Sequence, residues 1–491
     1  MNYLELAINQ IIKEQNIPHE WNSLIKDELN GINLTNDPNR KDLTDIPFIT
    51  IDGEDAKDYD DAVFCNENKS SFNLMVAIAD VASFVLPDTE LDKEAFKRGT
   101  SIYLPKTVIP MLPEIISNNI CSLVPNENRN VLVCEIIFSL TGEIQSYKFF
   151  EAVIKSFKRF TYNEIESHKI ESHKIDESNI FDSIKSLKKL TKMLLQNKTN
   201  RHALEIKSIE PSINIDDEGN IIDIKIPKRL FAHQMIEESM IAANICAARF
   251  LKKNYGYGVY RVHEEPESIK IENLRKFFSL KGHSNKKNLN KLNLIKSLIE
   301  HANKNEDNKH LNILILQSLK RAQYSSKQIG HFGLQLDQYS HFTSPIRRYP
   351  DLLVHRMIKN ILNSSNNHFE EENLEEDLGE LSSLEKRAEI SSRQVGQQLI
   401  CYMLKKSIGE EFSSFVVGIA EFGLFCEIDN YYISGLLHVS DLKKDRYIFD
   451  SQANILKGRN TGKTYRIGQK IKVQIANVIP EERKIILIHK K

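Results

Sequence analysis

The sequence predicts an α+β protein, a mixed α/β domain followed by a small all-β barrel, and three observations carry that reading. Apolar, strand-like runs fill the stretch from residue 48 to about 154. Helical periods take over around it, at residues 1–30, from about 161 to 200, over 231–253 and over 382–406. After Gly409 five short β runs follow one another with turn residues between them. The 491 residues therefore divide into a helical lead-in at 1–45, a main domain at 46–406 and a separate barrel at 409–491.

Taken in order, Leu4, Ala7, Ile8, Ile11 and Ile12 recur at helical spacing and predict a helix over residues 1–30. A polar stretch at 33–40 separates it from strands at 48–51, 62–65, 74–78 and 131–138. The Lys-rich helical region at 161–200 contains a direct repeat, Ile-Glu-Ser-His-Lys at 165–169 and again at 170–174. Its His168 and His173 read as a duplication on a polar surface rather than a metal pair. Residues 231–253 form an amphipathic, Ala-rich helix. The Asn- and Lys-rich stretch at 282–310 reads as a loose insertion. A second lies at 363–380, where acidic runs at 370–372 and 375–377 read as a solvated face. The barrel strands are expected at 414–419, 423–428, 436–439, 471–478 and 484–488, in a segment with 13 Lys+Arg against 10 Asp+Glu.

Composition narrows the class. At 41% hydrophobic and 27% charged the chain is ordinary globular protein, which excludes collagen-like, wholly disordered and disulfide-scaffold chains. With 66 Lys+Arg and 67 Asp+Glu the net charge is −1, so charge alone names no partner. Cys65, Cys121, Cys134, Cys246, Cys401 and Cys426 include no C-x-x-C pair and sit mostly among apolar residues, as free buried thiols do. No apolar run approaches the ~18 residues a membrane span needs, the best candidate, at 311–316, being far too short. The first residues carry no signal-peptide pattern. A cytoplasmic protein with no membrane partner is expected.

The sharpest constellation is Asp52, Glu54, Asp55, Asp58, Asp60 and Asp61, six carboxylates within ten residues between two apolar strands. Carboxylates at that density repel one another unless a cation neutralises them. Hard oxygen donors suit Mg²⁺, with Mn²⁺ as the alternative, and paired ions of this kind serve phosphodiester hydrolysis. A Ca²⁺-binding or merely solvated acidic loop is the plain alternative, though the spacing is not that of an EF-hand. A second block runs from Gly330-His331-Phe332-Gly333 to Ser344-Pro345-Ile346-Arg347-Arg348-Tyr349-Pro350. Two adjacent arginines between prolines can grip a phosphate. The same residues also read as a helix start, with Ser344 as cap and Pro345 in the first turn. In a third block, Gly99 to Pro113, Tyr103 is either a core tyrosine or a platform for a base.

Together these blocks, with Cys121-Ser122-Leu123 after the third, resemble the RNase II / RNase R family over essentially the whole chain, RNase R most of all. The barrel resembles an S1 RNA-binding domain, an OB-fold, through 422–425 and 435–440. The resemblance implies an RNB catalytic domain and a processive 3′→5′ exoribonuclease that acts on single-stranded RNA and releases nucleoside 5′-monophosphates. It assigns metal binding to Asp52, Asp58, Asp60 and Asp61, and catalysis to Asp60 and Arg347. RNA contacts fall to Tyr103 (base stacking), Glu237 (the 3′-terminal nucleotide), Arg348, and Phe422, Phe425 and His438 of the barrel. Family members usually carry two cold-shock domains, whereas only about 50 residues precede Asp52 here. A monomer is expected, and a partner supplying that RNA-binding module is a corollary. Ile206 occupies a position where a second stacking aromatic is common. Two other readings are a catalytically silent RNA-binding protein and a Mg²⁺-dependent phosphodiesterase acting on DNA or a small substrate. The intact set of four aspartates argues against the first, and a channel indifferent to the 2′-OH would be needed for the second.

Overall fold

The strand-rich part of the chain forms a six-stranded sheet in the order 41–42, 144–161, 48–52, 61–67, 71–79, 128–139. Its organiser is the 18-residue strand Ile144–Thr161. The first part of that strand pairs antiparallel with Asn128–Ser139, and its last part pairs parallel with Phe48–Asp52. The sheet thereby closes on itself. Register puts Asp52 opposite Thr161 and Asp61 opposite Ile78, so both acids leave the sheet at one edge. Ser71–Ala79 is buried on both faces along most of its length, which explains its continuous apolar run. Helix Ser178–Asn200 packs on the neighbouring strand, with Ser183 Oγ accepting from Cys65 N at 2.9 Å. Helix Phe231–Tyr255 packs beside that helix and against strands Ser71–Ala79 and Asn128–Ser139. Phe48, Phe138 and Phe342 are fully buried in this core, each contributing about 1.5–3 kcal/mol. This computed structural model describes residues 2–32, 38–167, 178–206, 211–216, 218–280, 289–304, 311–364, 370–442, 445–450 and 454–490. The repeated histidines His168 and His173 lie outside them.

The mixed class holds, but four helical expectations are corrected. Residues 1–30 form two helices, Tyr3–Glu14 and Ser23–Asn30. Asn16 turns the chain between them at φ 48°, and Asn22 caps the second by accepting from Ile25 N. A helix, Glu90–Arg98, interrupts the strand-rich region; Thr89 caps it and it is too short to impose a clear period. The supposedly loose 282–310 stretch contains helix Lys291–Asn303, which buries Leu294, Ile295, Leu298 and Ile299 in a small core of its own. The acidic run begins a 34-residue helix, Glu371–Leu404. Acids in a first turn complement the helix dipole. Glu375 is also not simply solvated, since it accepts from Ser325 Oγ at 3.1 Å and from Ser326 N.

Beyond that helix a closed barrel forms from Glu411–Ala420, Gly423–Ile428, Ile433–His438, Lys484–His489 and Lys470–Ile479, in that spatial order. The five expected strands are all present. A three-stranded sheet over 447–466 joins them, its strands too short to stand out in the sequence. Helix Tyr3–Glu14 bridges the barrel and the long helix. Tyr3 stacks on Tyr402 at 4.4 Å, Gln10 pairs with Gln398, and Glu14 meets Arg483 at 2.8 Å. All six cysteines are free and buried. Among the described residues no helix is long and apolar enough to cross a membrane.

Candidate active site

Between Asp52 and Asp61 the chain leaves the sheet, makes an irregular loop and returns. Buried Ser122 pins the second half of that loop: its Oγ donates to Lys57 O at 2.8 Å and accepts from Tyr59 N at 3.0 Å. Leu123 N closes on Tyr59 O. At the first half, Arg159 Nη2 donates to the carbonyls of Gly53 and Glu54, and Asn163 Nδ2 donates to Glu54 Oε1 at 3.0 Å. Glu54 and Asp55 point to solvent, while Asp60 is 4% exposed.

The second block meets this loop from the far end of the chain. Ile346 N donates to Asp60 Oδ1 at 2.9 Å, and Arg347 Nε lies 3.6 Å from Asp60 Oδ2. Residues 99–101 hold the block in place. Thr100 Oγ1 and Ser101 N both donate to Arg347 O at 2.9 Å, and Tyr349 N donates to Gly99 O. Gly99 ends helix Glu90–Arg98 at φ +72°, and a Cβ there would stand 2.8 Å from Leu384. The helix expected to start near Ser344 starts at Tyr349 instead, with Pro350 in its first turn. Ser344 N donates to Asp351 Oδ1, so residues 344–348 form a loop free to reach Asp60.

Electrostatics tie the four aspartates together. Burial pushes Asp52 up to about 6, opposed chiefly by Arg159. Burial pushes Asp61 up to about 8, with Asp52 adding to the rise. Asp60 is raised by burial, with Arg347 opposing and Asp58 and Asp61 adding. Asp52 Oδ2 and Asp60 Oδ2 are buried without a hydrogen-bond partner. Oxygen donors of this kind, costly to bury unpaired, fit a hard divalent cation. The four are not drawn into a tight knot: among the described residues no three acidic, histidine or cysteine side chains form a ready-made ion cage. Asp58 accepts instead from Tyr103 Oη at 2.8 Å, and Asp60 faces Arg347. Mutual repulsion favours such outward partners.

Tyr103 is exposed and lines a cavity of about 850 Å³. Arg261, Arg321, Ser392, Arg393 and Gln397 share the lining, and Ile400 and Tyr432 close it toward the barrel. The other named residues stand as follows. Glu237 sits on helix Phe231–Tyr255, its carboxylate held by Lys198 at 3.1 Å and by Arg229. Arg348 is tied to Asp351 at 2.8 Å and packed near Tyr324 and Tyr339, so its charge is engaged inside the fold. Phe422 and Phe425 are exposed with ring centroids 6.0 Å apart, and His438 lies across the ladder from Gly423. Ile206 is half-buried against the small helical core. Sequence reasoning missed Arg159 and Tyr162, and took Ser122 only as part of the Cys121-Ser122-Leu123 motif. The Tyr162 hydroxyl is raised by burial and then by Asp61 and Asp52, which marks it as a neighbour of the acids. Only the pairing of Asp52 with Thr161 brings 159–162 to the loop, and no local pattern signals that.

Comparison with known proteins identifies both domains. Residues 40–364 match the RNB domain and residues 405–490 the S1 RNA binding domain. Ribonuclease R of Buchnera aphidicola subsp. Schizaphis graminum is 39% identical over 501 residues, covering 98% of this chain and 68% of that protein. Ribonuclease R of Escherichia coli is 36% identical over 505 residues, covering 98% and 61%. The chain thus spans about three fifths to two thirds of these relatives' length. Mycoplasma genitalium RNase R, solved in complex with ribose methylated single-stranded RNA, superposes with a TM-score of 0.93 at 30% identity, over 99% of this chain and 78% of that one. Yeast Ssd1, a pseudonuclease, matches with a TM-score of 0.71 at 19% identity and shares the fold alone. With both domains matched in order and relatives aligned along almost all of it, the chain belongs to the RNB-domain exoribonuclease family, alongside the ribonuclease R proteins.

Proposed function

We propose that this chain hydrolyses single-stranded RNA from its 3′ end, one nucleotide at a time, with Mg²⁺ (or Mn²⁺) held by Asp52, Asp58, Asp60 and Asp61. The observation that carries this is the meeting of buried, partly unpaired carboxylates with Arg347 beside a cavity of about 850 Å³ that runs toward the barrel. A fold of this kind does not by itself imply catalysis, as the likeness to the pseudonuclease makes plain. The set of four acids favours the active reading over a silent RNA clamp.

In the reaction, water oxygen bonds to phosphorus, the P–O3′ bond breaks, and the proton passes to the departing O3′. The products are a nucleoside 5′-monophosphate and a chain one residue shorter with a new 3′-hydroxyl. When bound, the divalent ions supply charge neutralisation for this displacement and lower the pKa of the attacking water. The chain's own residues do the rest. Asp60, anchored by Ile346 N, keeps an oxygen directed into the site. Arg347, tethered through its backbone to Thr100 and Ser101, offers a guanidinium to the charge building on phosphate oxygens. Tyr103 stands where a base can stack as the chain threads the cavity. Phe422, Phe425 and His438 present an aromatic face to incoming RNA, and Glu237 is held rigid for the terminal nucleotide. Arg348, locked to Asp351, serves the loop's shape rather than gripping a phosphate directly.

The test uses 5′-labelled single-stranded RNA with Mg²⁺, comparing a free 3′-hydroxyl with a blocked end. A ladder that collapses to a short 5′ fragment only with the free end supports the proposal. Retardation without degradation would replace it with the RNA-clamp reading. Equal cleavage of DNA of the same sequence would replace it with the phosphodiesterase reading.

A further inference from the structure

Arg159 is the basic residue most intimately built into the acidic loop, yet it forms no hydrogen bond or ion pair with any of the four aspartates. It lies opposite Thr50 in the pairing of Ile144–Thr161 with Phe48–Asp52, two residues before the partner of Asp52. From there its guanidinium crosses the strand end. One nitrogen, Nη2, takes both the Gly53 and the Glu54 carbonyl, the latter at 2.8 Å, and the plane rests over the Tyr59 ring at 5.3 Å. Gly53 is the residue after Asp52, and the loop that these carbonyls open runs past Asp58 and rejoins the sheet at Asp61.

The choice of partner matters chemically. An arginine paired directly with Asp52 would occupy the oxygen that a divalent ion needs. Here the guanidinium spends its donors on backbone carbonyls, and Asp52 Oδ2 stays buried without a hydrogen bond, as does Arg159 Nε. Such an arrangement fixes the backbone beside a ligand without competing for its oxygen. Groups around metal ligands that act this way typically change metal affinity by about 10–100-fold when lost. A lysine reproduces it only in part, because an ammonium can meet the two carbonyls but has no planar guanidinium face to lay on the Tyr59 ring.

We propose that Arg159 is a positioning residue for the divalent-ion site, holding the first half of the 53–60 loop so that Asp52 and Asp58 can serve one ion cluster. This rests on the divalent-ion reading given above. Ser122 performs the matching task on the second half, so the loop is held from two sides by residues remote in sequence.

The experiment compares the full chain with Arg159→Met and Arg159→Lys variants. Two quantities are read: the Mg²⁺ concentration giving half-maximal thermal stabilisation without RNA, and that giving half-maximal degradation of 5′-labelled RNA. The expected result is a rise of about 10-fold or more in both for the Met variant. The maximal rate should be largely recovered at high Mg²⁺, the Lys variant should fall between, and RNA retention in EDTA should not change. A Met variant with the wild-type Mg²⁺ requirement overturns the proposal, even if its melting temperature in EDTA is lower, since that outcome is mere structural support. Should the Met variant not fold, a Lys variant with an unshifted Mg²⁺ requirement overturns it equally. If the wild-type chain shows neither Mg²⁺ stabilisation nor Mg²⁺-dependent degradation, the divalent-ion reading itself fails and this proposal with it. If the wild type responds to Mg²⁺ and the variants match it, only the role of Arg159 is lost.

Discussion

Asp60 and Arg347 stand 3.6 Å apart, carboxylate to guanidinium, at the junction of two segments from opposite ends of the catalytic domain. The Asp60 carboxylate is almost wholly buried, while the Arg347 side chain remains 42% exposed and able to reorient toward a substrate. Asp60→Asn keeps the shape and can still accept from Ile346 N, but it removes the charge. Turnover is expected to fall by about three orders of magnitude. Retention of RNA in EDTA should stay within about two-fold, because binding rests on distributed phosphate and stacking contacts. Single-turnover kinetics beside a filter-binding assay checks this, and a variant that still turns over would remove Asp60 from the site.

Tyr103 combines an exposed ring on the cavity wall with a hydroxyl donating to Asp58. Loss of the ring removes a stacking contact of about 1–3 kcal/mol for a base beside the acids. Tyr103→Ala is therefore expected to change the length of the final RNA fragment more than the initial rate. Gel analysis of the end product decides it: an unchanged fragment would mean that Tyr103 does not stack on the RNA.

Gly99 couples packing to the site. Its φ of +72° and the 2.8 Å approach a Cβ would make to Leu384 mean that any side chain must displace helix Glu371–Leu404 or the 99–101 segment. Gly99→Ala should cost about 2 kcal/mol. Because Gly99 O and residues 100–101 hold the Arg347–Tyr349 backbone, activity at a temperature where the variant is fully folded should drop as well. Urea unfolding together with kcat at low temperature separates the two effects.

His355 supplies a pH prediction. Burial pushes its imidazole down to about 4, and its Nε2 donates to Phe342 O at 2.8 Å. The folded pKa lies below the ordinary 6.5, so between those values the unfolded chain holds a proton that the folded chain does not. Stability from this group is complete above about pH 6.5 and declines as pH falls toward 4. From pH 7 to pH 5 the loss is on the order of 2 kcal/mol. His331, pushed to about 3 by burial and by His263, adds in the same direction. Urea midpoints at both pH values, for wild type and His355→Gln, test this; equal pH dependence in the two would rule His355 out as the source.

Much of the molecule could be read locally. The helices at 178–200, 231–255 and the later part of 371–404 follow an apolar period, and the strands at 61–67, 71–79 and 128–139 are each built around an apolar run, so burial largely specifies them. The helices at 90–98 and 291–303 escaped notice for opposite reasons. The first is only nine residues long, and the second is wrapped in Asn and Lys that mask its four buried aliphatics. The acidic stretch misled because negative charge at a helix N-terminus is favourable, which composition alone does not reveal.

What the sequence determined by itself was the chemistry on offer: a dense set of aspartates between strands, a proline-bounded arginine pair, an aromatic among prolines and a small β barrel. Each of those signals lies within a dozen or so neighbouring residues or, for the barrel, in a run of short alternating strands. The tertiary structure decided how they are used. It turned Arg347 toward Asp60 and locked Arg348 onto Asp351, though the two are adjacent and identical in kind. It also brought Arg159 and Tyr162 to the acids through the register of one long strand. The physical reason is that carboxylate spacing is local, whereas the counter-charges and donors that aim those carboxylates come from pairing and packing between segments that only folding brings together.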